Sequence, residues 1–129
     1  MSTSFYSATV KFGRGNVSLG TLEEGWASRV LKLRSDAAAS VRSGQEWGLD
    51  DLVGCYYIRQ AIENGLASDP DLEAPSSLEA IDALLLTFTS RENIATLRKQ
   101  DPMIPDTWWW ERIPINGPIR EQFDQLTHN

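Results

Sequence analysis

Apolar positions change their spacing once along this chain, from every second residue to every third or fourth. Tyr6, Ala8, Val10 and Phe12 alternate with Ser7, Thr9 and Lys11, the two-residue period of a strand with one covered face. Gly13-Arg14-Gly15-Asn16 supplies residues tolerant of positive φ, and Val17 and Leu19 resume the alternation. Residues 5–20 are therefore expected to form a β-hairpin. The glycines do not read as a phosphate loop, because no helix follows them directly and no Gly-Lys-Ser/Thr is present.

From Leu22 the period lengthens. Leu22, Trp26, Val30, Leu33, Ala37 and Val41 keep helical spacing, which predicts a long helix over about residues 22–43, opened by a Thr21–Glu24 capping box and ended by Gly44. Arg29, Lys32 and Asp36 fall off this stripe and are expected on a solvated face. A second helix is predicted from Leu49 to Asn64, with Asp50 and Asp51 favouring the dipole at its start and Gly65 as its stop. Leu52, Cys55, Tyr56, Arg59 and Ile62 form one stripe, which Val53, Tyr57 and Ala61 widen, so that helix should be covered on two sides.

The stretch "LASDPDLEAPSS", residues 66–77, reads as an exposed connection. A Ser76–Glu79 box then predicts a third helix with Leu78, Ile81, Leu84, Leu85 and Phe88 inward. A shorter fourth, capped by Ser90 and using Ile94 and Leu97, must end before Pro102. Pro118, following an Asn116-Gly117 cap, opens a last helix with Ile119, Phe123 and Leu126 inward. Trp26 and Trp47 are assigned to the core. The fold class expected is a mainly α single domain, a bundle of four to five helices with a small N-terminal β-hairpin. Its parts are the hairpin (5–20), a helical core (21–100), and an aromatic, proline-rich segment with the C-terminal helix (101–129).

Composition narrows the function. At 129 residues, 41% hydrophobic and 23% charged, the chain can build a core without disulfides or metals. No apolar run approaches a membrane span, and no secretion signal is seen. One cysteine, Cys55, allows no internal disulfide, and a cytoplasmic location is expected. Net charge is −6, split as +2 over residues 1–48 and −8 over 49–129. Such an acidic body repels phosphate backbones, which argues against nucleic acid as a partner and for another protein, or a second copy of the chain.

Catalytic groups are sparse. The single histidine, His128, is next to last, a poor place to hold a general base. Without it, Ser-His-Asp, Cys-His and most zinc sites are removed. Cys55 lies on an apolar stripe and reads as a small core residue. Asp69, Asp71 and Glu73 are spaced like the first calcium-loop ligands, but Ala74 and Ala80 stand where glycine and glutamate are needed. Glu23 and Glu24 are explained by capping, and Glu79 with Asp82 by a wet helix face. No enzyme activity, cofactor or metal is expected.

That leaves the segment "DTWWWERIPING". Adjacent residues turn by about 100° in a helix and about 180° in a strand, so Trp108, Trp109 and Trp110 cannot share a face. One or two should lock the segment onto the helices, with at least one, expected to be Trp109, at the surface. Tryptophan and arginine are favoured at binding hot spots, and Arg112 follows closely. The chain is therefore read as a non-catalytic protein-binding module docking through Trp108, Trp109, Trp110 and Arg112. Small inhibitors, immunity proteins and assembly chaperones share its size and charge. The alternative is a small-ligand or enzymatic pocket between the helices and the aromatic segment, using Tyr57 and Arg59.

Overall fold

One glycine sets the first turn. In the computed structural model, which describes residues 4–128, β1 (Thr9–Phe12) pairs antiparallel with β2 (Gly15–Ser18), Phe12 opposite Gly15. The two-residue loop is Gly13-Arg14, and Gly13 alone takes a positive φ, +64°, as a tight hairpin of the II′ kind requires at its first central position. The alternation is real but shorter than expected. Tyr6 is exposed, and Leu19 already belongs to the next helix.

Helix α1 (Leu19–Ala38) is capped by Ser18, whose Oγ accepts the Thr21 N–H at 3.2 Å. The expected Thr21 box is therefore displaced by three residues. The helix also stops five residues before the predicted end, leaving Val41 83% exposed. The cause is Asp36, expected on a wet face but in fact buried. Its carboxylate accepts the Lys32 ammonium at 2.8 Å and the Trp47 N–H at 2.9 Å. Lys32 also donates to the Gln45 carbonyl at 3.1 Å, so residues 39–48 are drawn back along the helix. Trp47, expected in the core, is only half-buried there.

Helix α2 (Leu49–Ser68) runs through Gly65 instead of stopping at it. Gly65 is buried against Leu19, and a Cβ there would stand 2.6 Å from the Leu19 Cδ2. The glycine thus serves close contact between α1 and α2. Gly54, also inside α2, differs: nothing lies within 4 Å of a Cβ built on it. Gly54→Ala is therefore expected to raise stability by about 0.8–1 kcal/mol, the helix-propensity difference, seen as a higher urea midpoint at unchanged slope. A loss of stability would mean that a neighbour occupies that space.

Helix α3 (Ser76–Phe88) begins at Ser76, so the predicted serine box is not its cap. Ser77 instead donates to the Glu23 carboxylate at 3.1 Å, which explains a buried glutamate on α1 better than capping does. Next, β3 (Thr89–Arg91) pairs antiparallel with β4 (Arg112–Pro114), Ser90 opposite Ile113. Ser90 is thus a strand residue, and the short helix α4 (Ala95–Gln100) has Ile94 at its N-cap, with Asn93 Oδ1 accepting the Ala95 N–H at 2.9 Å from just before it. Helix α5 (Pro118–Thr127) follows Gly117, φ +98°, with Pro118 at its first position as expected.

Five α-helices and two small antiparallel sheets, among the described residues, make one small mainly α domain. Its core holds Trp26, Tyr56, Trp109, Trp110, Leu33 and Ile62. Cys55 is buried as expected, and burial pushes its thiol up to about 12, which keeps it unreactive. No helix of the described residues is long and apolar enough to cross a membrane.

Candidate functional site around Trp108

The three tryptophans open a single 3-10 turn, Trp108–Glu111. At three residues per turn their side chains fan apart by about 120° each. Trp109 and Trp110 point into the domain and are almost fully enclosed, whereas Trp108 remains 42% exposed. The divergence is as expected, but the exposed ring is Trp108, not Trp109.

The reason lies on α2. Trp109 Nε1 donates to the Tyr56 carbonyl at 3.2 Å; a helical carbonyl keeps a second lone pair for such a donor. The Arg59 guanidinium lies 4.5 Å from the Trp109 ring centroid, a cation–π stack out of water. Trp110 Nε1 donates to Gln60 Oε1 at 3.2 Å, and its ring meets Tyr57 at 4.7 Å and Tyr56 at 5.7 Å, edge to face. The Trp108 ring meets Trp109 edge to face, 5.6 Å away at 87°.

The approach to the turn is equally fixed. Tyr57 donates to Asp101 Oδ2 at 2.7 Å, and burial together with this hydrogen bond pushes its phenol up to about 12, so it stays a donor. Asp101 Oδ1 accepts the Met103 N–H at 3.2 Å. Arg98 donates to the carbonyls of Ile104 and Pro105 at 3.0 and 3.2 Å, and Thr107 donates to Gln60 Oε1 at 2.8 Å. Ile104 is buried while Met103, between two prolines, is 79% exposed. Residues 101–107 thus form a loop tied at both ends that displays Met103 and leads into Trp108.

Behind Trp108 the strands are braced. Arg112 donates to the Thr89 carbonyl at 2.6 Å and to Thr89 Oγ1 at 3.0 Å, while the Tyr56 hydroxyl donates to the Arg112 carbonyl. A recess beside Trp108 is lined by Arg91, Asp106, Thr107, Glu111 and Arg112. Arg91, exposed, pairs with Glu111 at 2.7 Å, so the recess alternates in charge without a dominant sign. Next to it, Ser90 and Arg120 hold the Glu92 carboxyl below its usual range, the Ser90 hydroxyl contributing most.

The structure therefore brings Trp108 and Arg112 together at the surface and withdraws Trp109 and Trp110 into the core. Arg59 is buried as well. It makes a two-pronged pair with Asp82, at 3.1 and 3.0 Å, and Asp82 also accepts Trp26 Nε1 at 3.0 Å. Asp82 is thus no wet-face residue but the centre of an internal network. With Arg59 and Tyr57 so engaged, neither lines the recesses beside β3, beside Trp108 or between α1 and α2. Met103 and Arg91 were missed in the sequence; the one signal for Met103 was its place between Pro102 and Pro105.

In the loop after α2, Asp69 Oδ1 accepts the Asp71 N–H at 3.0 Å, a turn contact. Among the described residues no group of three or more His, Cys, Asp or Glu is placed to hold a metal ion. Compared with protein-family models, curated proteins and solved structures, the chain matches none.

Proposed function

We propose that this protein is a non-catalytic binding module that docks on another protein through Trp108, Arg91 and Arg112, which line one recess, together with exposed Met103 on the loop that leads into Trp108. The observation that supports this most is Trp108: a large indole left nearly half outside on a turn whose neighbours are locked into the core. Tryptophan, methionine and arginine are the types enriched at interface centres. A loop tied in advance loses little conformational entropy on binding. The same reading takes the protein to be cytoplasmic, where a lone buried thiol stays reduced, and keeps a second copy of the chain as one candidate partner.

The test compares wild type with Trp108→Ala, Met103→Ala and, as a control elsewhere on the surface, Leu31→Ala. A specific partner captured from native lysate, or a dimer seen in sedimentation, should be lost with the first two and kept with the third. Unchanged capture by Trp108→Ala, or a monomer that captures nothing, would overturn the proposal. Since Trp108 is half-exposed, its truncation should leave the fold intact.

A further inference from the structure

Between the hairpin, α1 and the first turns of α2 lies a second recess, remote in sequence from the Trp108 face. It is lined by Phe12, Trp47, Arg29 and Asp50, with buried Cys55 and exposed Gly54 on α2. At about 380 Å³ it falls within the range of small-molecule sites, roughly 300–1,000 Å³.

Two features of it are unexplained by folding. First, Arg29 is half-buried and its Nη1 donates to the Gly25 carbonyl at 3.2 Å, yet among the described residues no carboxylate lies within 4.0 Å of it. Arg59, Arg98 and Arg120, all buried or half-buried, each have such a partner, and half-buried Arg112, which has none, makes two hydrogen bonds to Thr89 instead. A guanidinium partly out of water and unpaired offers a planar fork for an incoming anion. Second, Gly54 stands inside a helix, where glycine is unfavourable relative to alanine, and the space before it is open. Close contact with another chain segment, which accounts for Gly65, does not account for Gly54.

We infer that this recess binds a small aromatic monocarboxylate. Its carboxylate pairs with Arg29, and its ring lies against Phe12 and Trp47 over the bare backbone of Gly54. The ring faces supply dispersion and stacking, and Gly54 leaves room for the ring's thickness. Asp50 and Asp51, which also line the recess, repel a second negative charge and so disfavour phosphates and dicarboxylates, while their carboxylates accept a hydrogen bond from an amino group on the ring.

The probe is 2-aminobenzoate, titrated against the full chain by ligand-observed NMR. Aniline serves as the ring without carboxylate, and cyclohexanecarboxylate as the carboxylate without aromatic ring. Saturable binding of 2-aminobenzoate is expected, weaker by about tenfold or more for both controls and for Arg29→Gln, which loses the charge-assisted pair. Gly54→Leu, a good helix former whose side chain fills the recess, should abolish binding while circular dichroism stays native. If Arg29→Gln does not fold, Gly54→Leu alone decides the matter. Trp108→Ala should bind the probe as wild type does, separating this site from the docking face. Absence of saturation in the millimolar range, or binding that Gly54→Leu leaves unchanged, would overturn the inference.

Discussion

Trp109→Ala is expected to destabilise the protein by about 3–5 kcal/mol, the range for deleting a large buried aromatic. The ring is enclosed on all sides. Its removal strips the indole donor from the Tyr56 carbonyl and uncovers the Arg59 guanidinium stacked upon it. Trp108→Ala, one residue earlier, should change stability by about 1 kcal/mol or less, because nearly half that ring is already in water. Urea unfolding followed by far-ultraviolet circular dichroism reads both without depending on indole fluorescence. Equal losses for the two variants would show that the turn does not sort the rings as described. The contrast also bears on docking, since a binding defect in Trp108→Ala could then not be attributed to unfolding.

A loss of similar size is expected from Asp82→Ala, about 3–5 kcal/mol. That carboxylate faces Arg59 through two hydrogen bonds and also accepts the Trp26 indole. Removing it leaves a buried cation and a buried N–H without their partner; Glu63, 3.5 Å from Arg59 and more exposed, replaces little of it. The double variant Arg59→Leu/Asp82→Leu should recover much of the loss, because a pair of apolar side chains carries no desolvation penalty. A double-mutant cycle in urea, closed with the single variants Arg59→Leu and Asp82→Leu, measures the coupling. Additive single effects would mean that the two groups do not depend on one another, and the network joining α1, α2 and α3 through Asp82 would have to be redrawn.

These two effects fall on different sides of what sequence reading could reach. The divergence of Trp108, Trp109 and Trp110 follows from chain geometry alone, so two modes of burial within one triplet were legible. Which ring stays outside was not, because the choice depends on Tyr56 and Gln60, about fifty residues earlier in the chain, offering oxygens to the other two. Asp82, Asp36 and Glu23 were misread for a common reason. Local spacing shows a charge only its own helix, and each of these finds a partner beyond it: Arg59, Trp47 and Ser77. The β3–β4 pairing was hidden because three-residue strands are too short to show alternation.

By itself the sequence determined the local elements: a hairpin turned at Gly13, helices phased by their apolar stripes, a last helix started by Gly117-Pro118, and a core that takes Trp26, Cys55, Ile119 and Phe123. These depend on periodicity and backbone preference, which act over a few neighbouring residues. Only the tertiary structure decided where the helices end, which charges are buried, and that Trp108 is the ring displayed. Those outcomes depend on hydrogen-bond partners brought from distant parts of the chain, and no local pattern encodes a partner before the chain has folded around it.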